Sequence, residues 1–231
     1  MTAVLGDDNF EMTWVKICGT TNLEDALVAV KAGADALGFV FYEKSPRNIT
    51  VEAAREIVKK LPQQVEKVGV FAGEFPAQDI AEVVERAGLT SMQVYSGSAL
   101  VWAARWHKAG LKLLTAIHGE ELIDGEVIIA GDFAKFLYAA VLDSGSGDRP
   151  GGTGERFDWQ RTQAAVHKLA EVLHVVVAGG LTPENVGEAI ATLKPWGVDV
   201  ASGVEARPGK KDPEKVRAFV QAVREMDRKT G

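Results

Sequence analysis

The stretch His174-Val175-Val176-Val177-Ala178-Gly179-Gly180-Leu181-Thr182-Pro183 contains the full grammar of an alternating α/β unit. Its apolar run has no polar alternation, which is the pattern of a parallel strand buried on both faces. Two glycines follow. Thr182 then stands where an N-cap oxygen is wanted, and Pro183 takes the first-turn position that tolerates a missing N–H. The spacing therefore predicts strand, turn and helix start in direct succession.

Outward from this unit, the same alternation fills the chain. Short runs rich in Val, Ile, Leu and Phe predict strands at Trp14 to Cys18, Ala36 to Phe41, Glu66 to Phe71, Ser91 to Tyr95, Leu111 to Ala116, Phe136 to Leu142, His174 to Ala178 and Val198 to Ala201. Longer amphipathic segments predict helices at Leu23 to Ala32, Val51 to Leu61, Ala77 to Ala87, Ala99 to Ala109, Trp159 to Glu171, Pro183 to Leu193 and Pro213 to Met226. Thr50 and Asp212 are further N-cap candidates, and Gly33, Gly88 and Gly110 stand where helices end. The segment His118 to Lys135 carries Gly125 and Gly131 and is the poorest helix of the set. An open doubly wound sheet shows the same periodicity. The polar residues gather just after strands one, two, six, seven and eight, however, and that is the rim where (β/α)8 barrels build their sites. The expected fold is α/β, a single-domain (β/α)8 TIM barrel over 14–231, preceded by a short loose leader at 1–13.

Composition narrows the function classes. The chain has 231 residues, 46% of them hydrophobic and 25% charged, which suits one globular domain with a sizeable core. Its 32 acidic and 26 basic side chains are scattered, giving a formal charge of -6. That argues against a duplex nucleic-acid surface, which needs a Lys/Arg-rich face. One cysteine makes no internal disulfide, and no apolar run approaches the ~20 residues of a membrane span. His107, His118, His167 and His174 have no metal-ligand spacing. A cytoplasmic protein without metal or membrane partner is expected.

Several polar residues at the rim can carry chemistry. In Lys16-Ile17-Cys18-Gly19 the side-chain alternation of a strand puts Lys16 and Cys18 on one face, inside the barrel, with Val15 and Ile17 turned toward the helices. A lone cysteine is often a small buried hydrophobe. At a rim, beside cations, its thiolate can act as a base. Asp143 closes an apolar strand, either as a hydrogen-bonded structural group or as a tuned acid. Arg47, in Ser45-Pro46-Arg47, is a solvated loop arginine or a fork for a carboxylate. Asp199 can hold a ribose hydroxyl or pair with Lys16. Gly151-Gly152-Thr153-Gly154, Ala178-Gly179-Gly180 and Ser202-Gly203-Val204 lie in the loops after strands six, seven and eight. Glycines there let backbone N–H groups converge on an anion, which makes Gly152, Thr153, Gly154, Gly179, Gly180, Ser202 and Gly203 the candidate phosphate cradle.

The motifs Lys-Ile-Cys-Gly (16–19), Ser-Pro-Arg (45–47), Val-Gly-Val-Phe (68–71), Leu-Asp-Ser (142–144), Gly-Gly-Thr-Gly followed by Phe-Asp-Trp (151–159), Ala-Gly-Gly-Leu (178–181) and Val-Asp-Val-Ala-Ser-Gly-Val-Glu (198–205) are each quoted from this chain. Together, from Val15 to Ala222, they resemble the phosphoribosylanthranilate isomerase family of tryptophan biosynthesis. The resemblance implies an Amadori rearrangement with Cys18 as general base and Asp143 as general acid. It places Arg47 on the anthranilate carboxylate and the glycine-rich backbone on the phosphate. It implies no metal or organic cofactor, a small phosphoribosylated substrate as partner, and a monomer or homodimer.

Three departures stand out. The pattern usually reads Gln-Leu-His-Gly after strand four, where this chain has Gln93-Val94-Tyr95-Ser96-Gly97. Ala201 replaces a common serine, and 145–150 lengthen the loop behind Asp143. The sister isomerase of histidine biosynthesis is the nearest alternative, but its strand-one base is an aspartate. A Schiff-base aldolase using Lys16 lacks a neighbour that depresses the amine. A barrel that only binds phosphosugars predicts binding without turnover.

Overall fold

A computed structural model describes residues 12–73, 75–95, 101–118, 134–144 and 156–230. Eight parallel strands, β1 (Trp14–Cys18), β2 (Ala36–Phe41), β3 (Glu66–Phe71), β4 (Ser91–Val94), β5 (Lys112–His118), β6 (Ala139–Asp143), β7 (His174–Val177) and β8 (Gly197–Val200), close into a barrel in chain order. β1 pairs with both β2 and β8, in a register that sets Lys16 opposite Ala36 on one side and Asp199 on the other. The described helices are α1 (Leu23–Ala32), α2 (Val51–Val58), α3 (Ala77–Ala87), α4 (Ala103–Lys108), α5 (Trp159–Ala170), α6 (Val186–Leu193) and α7 (Pro213–Thr230). A two-stranded hairpin, β9 (Glu205–Arg207) with β10 (Lys210–Lys211), follows the 3-10 turn Ser202–Val204 at the end of β8. None of the described helices is long and apolar enough to cross a membrane.

Strand alternation sorts the core into two shells. Val15, Ile17, Leu37, Phe39, Met92, Leu113, Ala140, Leu142, Val175, Val177, Val198 and Val200 join the helix-facing cluster. Trp14, Ala36, Val68, Leu114, Ala139, Val141, Val176 and Ala178 fill the lumen. Above them lies a buried ion pair: Lys16 Nζ, wholly inaccessible, donates to Asp199 Oδ2 at 2.6 Å. The junction of the first and last strands is also tied from outside, where the Asp227 carboxylate of α7 accepts from both the backbone N–H and the hydroxyl of Thr13.

The capping residues behave as their chemistry predicts, with one exception. Thr50 accepts from the Ala53 N–H, and Asp212 from the N–H groups of Glu214 and Lys215. Gly33 and Gly88 end α1 and α3 in the left-handed region. Thr182 does not cap α6, which begins at 186 rather than 183. The Asn185 side chain instead accepts from the Thr182 N–H and donates to the Gly180 carbonyl, winding 182–185 into a separate turn. β6 also starts later than its apolar run, at Ala139, because the ring of Phe136 packs on His107 before the chain joins the sheet. α4 occupies only 103–108 of its expected span, and α7 extends four residues beyond Met226.

The lumen ion pair makes a sharp stability prediction. Lys16→Met leaves Asp199 buried without its cation and should cost about 3–5 kcal/mol. Adding Asp199→Leu should recover most of that loss. Urea unfolding midpoints of the three proteins measure it, and a double variant no better than the single one shows that the pair is not coupled.

Candidate active site

The inward-facing ends of β1, β4, β6 and β8 assemble the chemistry at the C-terminal rim. Cys18 ends β1 and is 9% exposed; Asp143 ends β6 and is 4% exposed. The sulfur lies over Gly38 of β2, where an added Cβ would come within 2.7 Å of Sγ. Lys16, one inward position below, sits between Asp199 and the thiol. Burial alone would lower its ammonium, but Asp199 and then Cys18 more than offset this and hold it above the ordinary lysine range. Burial pushes the Cys18 thiol up, and the cations Lys16 and Lys211 pull it back only in part. The cationic surroundings expected for Cys18 are therefore present, while desolvation keeps the resting group a thiol.

Tyr95 spans the rim. It leaves the β4 ladder after one last backbone bond to Phe71, and its ring packs against the cluster of Cys18, Val40 and Val70. Its hydroxyl donates to Asp143 Oδ2 at 2.9 Å and accepts from Gln93 Nε2 at 3.3 Å. The sulfur and the carboxyl group are thus brought to one mouth of the barrel, linked through a single aromatic side chain. His118 is the register neighbour of Asp143 on β5, and its Nδ1 is buried with no hydrogen-bond partner.

Arg47 does not present an open fork. Its Nε and Nη2 both donate to Glu205, each at 2.8 Å, so the bidentate edge expected for a substrate carboxylate is already occupied. The positive φ of Gly19 and its missing Cβ make room for the arginine stem, since a Cβ there would sit 2.5 Å from Arg47 Cδ. Glu205 also accepts from Lys211 at 3.0 Å. Lys211 is 2% exposed and donates further to the carbonyls of Cys18 and Ala201, tying the ends of β1 and β8 together. Burial would raise Glu205, but the Arg47 hydrogen bonds and the Lys211 charge hold it below the usual carboxylate range. Tyr95, Gln93, Glu205 and Lys211 were not among the candidate residues. Lys211 sits in the charged run Gly209-Lys210-Lys211-Asp212, which reads as solvated surface.

The loops after β6, β7 and β8 interlock through glycine. Gly179 and Gly180 have φ of 74° and 64°. A Cβ at Gly179 would lie 2.5 Å from the Ser144 nitrogen, and one at Gly203 would lie 1.9 Å from the Leu181 carbonyl oxygen. Both positions exclude a side chain, which leaves backbone at the surface of the rim beside Ser202. Gly152, Thr153 and Gly154 fall outside the described residues. Asp199 faces the lumen with Oδ1 buried and unpartnered, Oδ2 being taken by Lys16. Among the described residues no group of three or more His, Cys, Asp or Glu side chains is placed to hold a metal ion.

Known proteins are similar to this chain over most of its length. The family model described as N-(5'-phosphoribosyl)anthranilate (PRA) isomerase matches residues 15–222. The N-(5'-phosphoribosyl)anthranilate isomerase of Pseudomonas fluorescens strain Pf0-1 is 42% identical over 209 residues, covering 90% of this chain and 97% of its own. The crystal structure of phosphoribosyl anthranilate isomerase from Thermotoga maritima superposes with a TM-score of 0.78 at 36% identity, over 93% of this chain and 100% of that one. A phosphoribosyl anthranilate isomerase solved with reduced 1-(o-carboxyphenylamino)-1-deoxyribulose 5-phosphate gives 0.75 at 34% identity, over 93% and 100% of the two chains. With a family match over residues 15–222, relatives at 42% identity over nine-tenths of its length and the same barrel in solved structures, the chain belongs to the N-(5'-phosphoribosyl)anthranilate isomerase family.

Proposed function

We propose that the protein converts N-(5'-phosphoribosyl)anthranilate to 1-(2-carboxyphenylamino)-1-deoxyribulose 5-phosphate in tryptophan biosynthesis, in the cytoplasm, with Cys18 as general base and Asp143 as general acid. The observation that carries the site assignment is the meeting of these two groups, 125 positions apart in sequence, at one mouth of a closed barrel. Asp143 gives a proton to the furanose ring oxygen, the bond from that oxygen to C1' breaks, and the nitrogen lone pair forms a Schiff base. Cys18, as thiolate, takes the C2' proton, and the electron pair of that C–H bond moves into the imine. The resulting enolamine tautomerises to the aminoketone. The substrate's own imine is the electron sink, so the chemistry draws on acid and base alone.

Each remaining candidate has a matching task. Asp199 Oδ1, buried without a donor, takes a ribose hydroxyl; an orphaned acceptor in a lumen is costly until a ligand satisfies it. The main chain around Gly179, Gly180, Ser202 and Gly203, joined by that of Gly152, Thr153 and Gly154, holds the phosphate. Arg47, braced by Glu205, offers its remaining Nη1 edge to the anthranilate carboxylate. Every group used here comes from one chain, so a monomer or a homodimer serves equally. We place the catalytic domain at 14–231.

Two measurements test this reading. Purified protein added to fresh phosphoribosylanthranilate should quench its fluorescence far faster than spontaneous decay, and Cys18→Ala and Asp143→Ala should each lose at least about 100-fold in kcat. A wild-type signal no faster than decay rejects the activity, and a variant at full rate rejects that residue's role.

The brace on Arg47 is also pH-dependent. Because the Glu205 carboxyl is held below its ordinary range, its contribution is complete above about pH 4.3, the unfolded value, and is lost as pH falls through the lower folded value. Denaturant midpoints should therefore drop on that acid side in the wild type. Glu205→Gln should start about 3 kcal/mol lower at neutral pH and show a shallower acid slope. Parallel slopes would remove Glu205 as their source.

A further inference from the structure

We propose that Tyr95, oriented by Gln93, is a positioning residue that fixes the Asp143 carboxyl across the rim from Cys18 by donating to its Oδ2. The inference rests on the isomerase reading and adds to it the side chain that orients the acid.

The geometry follows from proton counting. A phenolic hydroxyl has one proton to give and two lone pairs to receive with. The Gln93 amide, 1% exposed and on the same inward face two residues earlier, donates into one lone pair at 3.3 Å. The single phenolic proton then goes to Asp143 Oδ2 at 2.9 Å. Burial and the neighbouring Asp143 charge hold the Tyr95 phenol well above its ordinary range, so it remains a donor throughout. That donation pins one oxygen of the carboxyl and, with it, the plane in which the acid lies.

The orientation is rigid at both ends. The Tyr95 ring is clamped against Cys18, Val40 and Val70, and the Gln93 side chain is enclosed in the lumen below it. Among the described residues Gln93 Oε1 has no hydrogen-bond partner, and the amide is held by its contact with Tyr95. The chain Gln93, Tyr95, Asp143 therefore fixes the carboxyl plane relative to the thiol across the rim. This is a different task from proton transfer itself: the phenol touches the acid, and the acid touches the substrate.

Steady-state kinetics on Tyr95→Phe, Gln93→Leu, Asp143→Asn and the Tyr95→Phe/Asp143→Asn double variant test the proposal. Tyr95→Phe keeps the ring packing and should lower kcat about 10-fold with KM within twofold, because general acid catalysis is worth 10²–10⁴ in all and only its orientation is lost. Gln93→Leu should lower kcat in the same sense by a smaller factor. In the Asp143→Asn background, Tyr95→Phe should have no further effect on the residual rate, since residues acting as one unit are non-additive. Full kcat in Tyr95→Phe, a loss confined to KM, or the same factor lost again on top of Asp143→Asn each overturns the inference while leaving the isomerase reading intact. If Tyr95→Phe does not fold, the kcat and KM of Gln93→Leu decide by the same criteria. An inactive wild type overturns both the function and the inference.

Discussion

The barrel depends on a charge it has no easy way to keep. A lysine with no accessible surface in the lumen is tolerated only because Asp199 meets it at 2.6 Å on the adjacent strand, and the strand register that closes the barrel places the two residues side by side. Removing two charges from water costs more than a surface ion pair returns, so the pair is weak evidence for stability on its own account. What it supplies is a fixed cation beneath the sulfur of Cys18 and a carboxylate whose second oxygen faces the lumen unpaired. Closure of the sheet and construction of the site are therefore one constraint, expressed in one ion pair.

A second layer of buried charge repeats the device nearer the solvent. Glu205 gathers Arg47 and Lys211, and Lys211 in turn holds the carbonyls that end β1 and follow β8. The hairpin β9–β10 thus acts as a strap across the seam where the first and last strands meet. Because Lys211 bonds the carbonyl of Cys18 itself, the strap is joined directly to the backbone that carries the thiol. The small glycines at 19 and 38 complete the setting, one admitting the arginine stem and the other the sulfur.

Much of this was readable in the chain, and the division between legible and illegible has a physical cause. Period-two alternation is local, so the inward placement of Lys16, Cys18, Asp143 and Asp199 could be read from neighbours alone. The pairing of Lys16 with Asp199 was one of two open readings, and the register chose it. Arg47 shows the limit. Its partner lies 158 positions away, and no local pattern distinguishes an arginine awaiting a ligand from one already forked to a glutamate. Lys211 was hidden by its charged neighbours, and Tyr95 stood out only as a departure from the family pattern, its bond to Asp143 lying 48 positions away. The Thr182 hydroxyl does accept from the Glu184 N–H, but the turn it caps is held separately by Asn185, which accepts from the Thr182 N–H and donates to the Gly180 carbonyl, so the helix starts only at 186.

On the proposed mechanism, the resting protonation of Cys18 also orders the reaction. Burial holds Cys18 as a thiol before substrate arrives, so a base is not standing ready. Ring opening changes the electrostatics: once Asp143 has delivered its proton, the Schiff-base nitrogen carries a positive charge within the same lumen. That charge joins Lys16 and Lys211 in favouring the thiolate, since an opposite charge nearby favours the ionised form. Acid catalysis then creates the field in which the base becomes competent. A thiolate formed ahead of the substrate would instead compete with Asp199 for the Lys16 ammonium and loosen the pair that closes the sheet. In that reading, the desolvation that keeps the sulfur neutral also times the proton abstraction.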